Sequence, residues 1–282
     1  MSGFGAVAVA GLGLIGGSVA RDLAAAGVRV LGWDRDGASV DAALREGVVA
    51  AALGPGFEGL EDADVLVLAV PVGAAAAVLE AAVPRLGGAR LVTDTGSTKA
   101  SIVATAEQLG LGERFVGGHP LAGDHRAGWE ASRTGLFAGA AVYLCPTRRS
   151  SAAAVSLARE LWSRTGGVPV EIGAEEHDRL LAWTSHLPQV VSTALAGALA
   201  AHGVAHTALG SGGRDVTRLA ASPADLWADI LRDNRVHVAE ALRAMEDQIR
   251  AVRNAIDDDN PQVIRTAFQV AQGWSNGENR SK

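Results

Sequence analysis

The chain has 282 residues, 48% hydrophobic and 20% charged, a balance that excludes a disordered polypeptide and leaves room for two domains. A net charge of −6 gives no electrostatic reason to expect nucleic acid or an anionic membrane surface as a partner. The one cysteine, Cys145, excludes an intrachain disulfide and a cysteine-based metal site, and no metal is expected.

The N-terminus is apolar but lacks the basic flank of an export signal, and no run of roughly 18 apolar residues occurs elsewhere, so a cytoplasmic protein without membrane spans is expected. Residues 6–10 read as a short buried strand. Gly11, Gly13 and Gly16 follow at G-x-G-x-x-G spacing, and residues 18–26 read as a helix with Val19, Leu23 and Ala26 on one face. Strand, glycine turn and helix together form a dinucleotide-binding arrangement. Gly11 makes the tight turn, Gly13 admits a pyrophosphate against the backbone, and Gly16 lets helix and strand pack closely. Leu14 and Ile15 lie within the glycine turn and are counted among the cofactor-binding residues, and the helix that follows offers free N–H groups and a positive dipole end to the phosphates. A second strand over 28–33 ends at Asp34, placed to take the adenosine ribose hydroxyls and to repel a 2′-phosphate. NAD is therefore expected over NADP, although the adjacent Arg35 pulls the other way.

A third strand over 65–70 is closed by Pro71, which cannot donate to a ladder. Ligands of open parallel sheets bind beyond such strand ends, so Val70 and Pro71 are expected to wall the nicotinamide pocket. A helix over 72–86 and a strand over 91–94 lead to Asp94-Thr95-Gly96-Ser97-Thr98-Lys99, which opens a further helix. Helix capping alone would account for one of Ser97 and Thr98. A strand over 115–118 delivers His119 to a strand end facing the nucleotide loop. That residue is a candidate acid or base, the alternative being a histidine satisfied in the interior. The loop-rich stretch 121–139 is expected to shape the substrate site. Strands over 140–145 and 168–172 flank a helix over 152–164, and Cys145 reads as a buried small hydrophobe.

Strand-like runs vanish after Gly173 and helical periodicity takes over. Helices are predicted over 175–187, over 189–202 after a kink at Pro188, over 225–253 and over 261–273, with Gly210-Ser211-Gly212-Gly213 as a break. The expected fold class is α/β, a Rossmann-type doubly wound sheet over 1–173 followed by an all-α dimerisation domain over 174–282. Apolar stripes of this length need covering, and a twofold homodimer supplies it. The last residues, from Trp274 to Lys282, are expected to fray.

Five segments then stand out together: Gly11-Leu12-Gly13-Leu14-Ile15-Gly16-Gly17-Ser18, Asp94-Thr95-Gly96-Ser97-Thr98-Lys99, Gly118-His119-Pro120-Leu121-Ala122-Gly123, Ser185-His186-Leu187-Pro188 and Gly213-Arg214-Asp215-Val216-Thr217-Arg218. The first is shared by many NAD enzymes. The set of five, running from residue 5 to about 235, resembles the bacterial prephenate/arogenate dehydrogenases of tyrosine biosynthesis. That resemblance implies NAD-dependent oxidative decarboxylation of a cyclohexadienol, yielding 4-hydroxyphenylpyruvate or tyrosine. It implies that His119 takes the hydroxyl proton, that Ser97 hydrogen-bonds both His119 and the substrate, and that Arg218 holds a substrate carboxylate with its forked guanidinium. His186 matches a histidine beside the substrate, and Trp227 and Asn234 match family positions, Trp227 reading as core. Arg214 and Asp215 either pair with each other or serve the site.

Two positions depart from the family pattern. Gln189 stands where a second histidine is common, so a contribution to carboxylate binding is weakened. Asp124 stands where threonine is common, and an acidic residue there goes with arogenate, whose ammonium a carboxylate attracts. The other reading of Asp124 is a solvent-facing group or a partner of His125 or Arg126. Two further functions stay open: a secondary-metabolism relative acting on 4-amino-4-deoxyprephenate, and a non-catalytic NAD-binding sensor. A β-hydroxyacid-type dehydrogenase would need a lysine in the helical half, and none lies between Lys99 and Lys282.

Overall fold

The computed structural model describes residues 3–123 and 126–277. By internal contacts the chain divides into two compact units, Met1–Asn234 and Arg235–Lys282.

Five parallel strands form the centre of the first unit: β1 (Ala6–Ala10), β2 (Arg29–Trp33), β3 (Ala51–Ala52), β4 (Val65–Leu68) and β5 (Leu91–Asp94), in the order β3-β2-β1-β4-β5. Every residue of β1, β4 and β5 is buried, as expected for short apolar strands covered on both faces. The period-2 alternation sorts their side chains into two cores. Val7, Val9, Val65 and Val67 pack with Val19 and Leu23 of α1 (Leu14–Ala25). Ala8, Ala10, Leu66 and Leu68 pack on the other face with Leu79 and Ala82 of α3 (Val72–Ala82) and Ile102 of α4 (Ala100–Gln108). Between β2 and β3 runs α2 (Gly37–Arg45), capped by the Asp36 carboxylate on Ala38 N–H.

A second, three-stranded sheet contains β6 (Val116–Pro120), β7 (Ala141–Pro146) and β8 (Val168–Glu171), with α5 (Ala152–Arg164) between the last two. β6 runs antiparallel to β7, and β7 parallel to β8. A single parallel bridge, Val92 to Phe115, ties the two sheets. This corrects one expectation: His119 lies inside β6, opposite Tyr143, and not beyond the end of a parallel strand.

The helices α6 (Ala174–Leu181), α7 (Leu187–Ala201), α8 (Ser211–Thr217) and α9 (Ala224–Asp233) complete the first unit. Residues 182–186 form a π-helical turn between α6 and α7. Pro188, in the first turn of α7, has no N–H for the carbonyl one turn earlier, and the wider π turn absorbs that loss without a break. The predicted break at 210–213 lies earlier in the structure, between Ala201 and Gly210, because α8 already runs through Gly212 and Gly213. Nor is there one helix over 225–253: α9 ends at Asn234, whose amide is drawn inward to other partners.

The second unit consists of α10 (Arg235–Asp257) and α11 (Pro261–Ser275), the latter capped by Asn260 on Val263 N–H. Val236, Ile249, Ile256, Phe268, Val270 and Trp274 on these two helices are all more than half exposed. Among the described residues no helix is long and apolar enough to cross a membrane.

Candidate active site

The glycine turn after β1 is built as its sequence requires. Gly11 takes a φ of +96°, open to glycine at little cost. An added Cβ at Gly11 would run into the Ala69 carbonyl, and one at Gly16 into the Gly11 carbonyl. At Gly13 an added Cβ meets nothing within 4 Å, so the open face of the turn lies there, at the start of α1. Leu14 and Ile15 occupy the first turn of that helix, half-buried. Val70 packs against Gly11 at the end of β4, and Pro71 leads into α3. Asp34 accepts from Leu12 N–H at 2.6 Å and from Asp36 N–H at 2.8 Å, which aims its carboxylate at the glycine turn. Trp33, Asp34 and Arg35 line a hollow of about 360 Å³ beside it. An open glycine, a half-buried helix start and an oriented carboxylate fit a dinucleotide in residue type and in placement.

His119, Tyr143, Ser185, Gln189, Arg218 and Trp227 line a larger cleft of about 1150 Å³. His119 comes from β6, and Arg218 from the 3₁₀ turn that follows α8. Arg218 is exposed and has no carboxylate partner among the described residues.

Buried polar contacts tie His119 to its neighbours. Its Nδ1 lies 2.8 Å from Nε2 of His177, whose own Nδ1 is 2.8 Å from Oδ1 of Asp178. The Asp178 carboxylate also accepts from the backbone N–H groups of Lys99 at 2.8 Å and Ala100 at 2.9 Å. It therefore caps the N-terminus of α4 from α6, where dipole and free donors favour an anion. Burial opposes ionisation of Asp178, but the His177 N–H and the two backbone donors outweigh it and hold its pKa below the ordinary value. Lys99 is fully buried, and its ammonium pairs with Asp94 and donates to the Gly118 carbonyl at 2.9 Å. Asp94 in turn accepts from Gly118 N–H at 3.1 Å. Both sides of the residue before His119 are thus clamped. Burial lowers the His119 pKa well below 6.5, and His177, the Lys99 ammonium and His186 act in the same direction. The imidazole is neutral at ordinary pH.

Several expected roles meet different geometry. Ser97 makes no hydrogen bond to His119 among the described residues; His177 occupies the Nδ1 side instead. Neither Ser97 nor Thr98 caps α4, because Asp178 does. His186 is buried, 1% exposed, and stands behind the cleft lining. Asn234 donates to the Asp178 carbonyl at 2.7 Å and reaches His186 Nδ1 at 3.1 Å, and burial pushes the His186 pKa down to about 4. Gln189 lines the cleft, but its amide donates to the Leu219 carbonyl at 2.7 Å and accepts from Ser222, latching the turn that carries Arg218. Arg214 bonds the Leu209 carbonyl and forms no ion pair with Asp215 among the described residues. Asp124 lies outside the described residues. Sequence reasoning missed His177, Asp178 and Tyr143. The adjacent His177-Asp178 pair at the start of the helical half was the available signal, but only the fold brings it to His119.

A parallel sheet with this glycine turn and this carboxylate defines a dinucleotide-binding protein, with a second cleft lined by β6, β7 and the later helices. Two family models cover almost the whole chain: "Prephenate dehydrogenase, nucleotide-binding domain" matches residues 19–171, and "Prephenate dehydrogenase, dimerization domain" matches residues 173–269. The chain belongs to the prephenate dehydrogenase family. Prephenate dehydrogenase of Bacillus subtilis is 31% identical over 96% of this chain and 75% of its own. The structure of the A. aeolicus prephenate dehydrogenase in complex with hydroxyphenyl propionate and NAD+ matches at a TM-score of 0.88 and 29% identity, covering 97% of this chain and 98% of that one. Arogenate dehydrogenase of Synechocystis matches at a TM-score of 0.82 and 28% identity, over 97% of this chain and all of its own. The protein is an oxidoreductase of the dehydrogenase type.

Proposed function

We propose that this protein oxidatively decarboxylates prephenate or arogenate with NAD. The observation that carries this reading is the convergence on one cleft of a neutral buried imidazole, His119, and a guanidinium, Arg218, that has no carboxylate partner among the described residues. In such a reaction the substrate loses a hydride from C4, a proton from the 4-hydroxyl and its ring carboxylate as CO2, and the ring becomes aromatic. His119 takes the hydroxyl proton, which its depressed pKa leaves it free to do at neutral pH. Arg218 forks onto a substrate carboxylate, and Ser97, half-buried before α4, hydrogen-bonds the substrate.

Gly11, Gly13 and Gly16, with Leu14 and Ile15, hold the pyrophosphate, and Asp34 beside Arg35 takes the ribose hydroxyls. Val70 and Pro71 wall the nicotinamide. NAD, when bound there, supplies the hydride acceptor. The family's NAD-bound A. aeolicus structure supports the cofactor, and its prephenate and arogenate relatives support the substrate class. The protein works as a homodimer, supported by the matched dimerization domain and by the apolar faces of α10 and α11. Purified protein supplied with NAD and each cyclohexadienol should raise NADH absorbance with at least one of them; absorbance flat with both overturns the proposal.

A further inference from the structure

We propose that His177 and Asp178 are positioning residues that lock His119 in the tautomer with Nδ1 protonated and Nε2 bare. The inference deepens the function proposed above and rests on it for its catalytic meaning.

The logic starts at Asp178. An ionised carboxylate only accepts, so the proton in the 2.8 Å contact sits on Nδ1 of His177. A neutral His177 ring then has a bare Nε2, which accepts. The 2.8 Å contact from His119 is therefore donated by His119 Nδ1–H. What remains is His119 Nε2, a lone pair on a residue that lines the substrate cleft. When His119 takes a proton there, the new cation keeps its donation into His177, and the chain of bonds ends on a carboxylate held at the N-terminus of α4. A buried carboxylate orienting a catalytic imidazole is known chemistry; here a second imidazole stands between the two.

Every element around the pair fixes this arrangement. The Tyr143 ring meets His177 edge-on at 5.5 Å, and His177 is fully buried. Lys99 and Asp94 bracket Gly118, and Asn234 holds the Asp178 carbonyl and His186. None of these groups offers His119 Nδ1 another acceptor among the described residues.

The test combines nitrogen-15 NMR of histidine-labelled protein with two variants. In the wild type, His119 Nε2 should show a pyridine-like shift and Nδ1 a pyrrole-like one at neutral pH. His177→Phe keeps a ring but removes the acceptor. It should mix the two tautomers and lower kcat by about 100-fold, the scale of a misplaced general base, with substrate KM and NAD affinity within about threefold. His177→Gln restores an acceptor and should recover at least about tenfold of that loss. A wild-type His119 protonated on Nε2 overturns the proposal, as does a folded His177→Phe with wild-type kcat, or a folded His177→Gln no better than His177→Phe. Should His177→Phe fail to fold, the wild-type tautomer decides alone. The NMR reading needs no substrate, so protein inactive on both cyclohexadienols but showing the expected tautomer overturns the proposed function and leaves the relay standing.

Discussion

His119 and Arg218 line one cleft from opposite kinds of structure, the first from a buried strand at the edge of the second sheet and the second from an exposed turn after α8. In the proposed reaction a buried neutral base would act in the transition state, whereas an exposed guanidinium would grip substrate before and during reaction alike. Their variants should therefore separate in kinetics. His119→Asn should lower kcat by about 10²- to 10⁴-fold while NAD affinity holds. Arg218→Ala should act mainly on substrate KM, raising it about 10- to 100-fold, the worth of a charge-assisted hydrogen bond. Steady-state kinetics with a separate NAD titration checks both. In the wild type the acid limb of kcat/KM should fall below pH 6.5, because His119 must lose its proton to act and burial has lowered its pKa.

Much of this was legible in the residues, and what was not has a physical reason. Local signals placed the glycine turn, Asp34 and four of the five strands of the first sheet, because short apolar runs and glycine spacing are properties of neighbours in sequence; the two-residue β3 is too short to show such a run. The partner of His119 is set by tertiary packing. The resemblance pairs Ser97 with His119, yet α6 brings His177 to the Nδ1 position, and no periodicity encodes that approach. The same holds for α4, whose cap comes from Asp178 and not from the adjacent hydroxyls. Asn234 looked like an interior helix residue. Its side chain instead ends α9 by bonding Asp178 and His186.

Asp34 carries two loads. Its carboxylate faces the hollow lined by Trp33 and Arg35, and it also accepts from Leu12 N–H at 2.6 Å. Asp34→Ser should raise the use of NADP relative to NAD, since the charge that repels a 2′-phosphate is gone and Arg35 remains. The variant should also lose about 1 kcal/mol of stability through the weakened backbone bond. Parallel kcat/KM measurements with the two cofactors and a urea melt read the two effects. An unchanged cofactor preference would refute the first.

Lys99 should matter to folding more than its charge alone implies. Its ammonium is fully buried, paired with Asp94, and bonded to the Gly118 carbonyl. Lys99→Met leaves a buried carboxylate without its counter-charge and an orphaned carbonyl next to His119. A loss of about 3–5 kcal/mol in urea unfolding is expected, the usual cost of breaking one side of a buried pair. A loss under about 1 kcal/mol would show that Asp94 is satisfied by its two backbone donors, Gly96 and Gly118.

Acid should weaken the fold before it touches the carboxylates of the surface. His186 is neutral when folded, with its pKa pushed by burial from 6.5 down to about 4. In the unfolded chain the same ring takes a proton near pH 6.5. Between these values the unfolded state binds more protons than the folded one, so stability rises with pH and is lost as pH falls from about 6.5 towards 4. For a single group displaced this far the loss approaches ~3 kcal/mol at the acid end. His119, also lowered well below 6.5, adds to the same slope. Thermal or urea unfolding at steps from pH 7.5 to 4.5 should show a steepening loss below about 6.5. His186→Gln has no proton to gain in the unfolded chain, and its amide can still meet Asn234, so its stability should fall less over the same interval. A slope identical to that of the wild type would place the acid sensitivity in some other group.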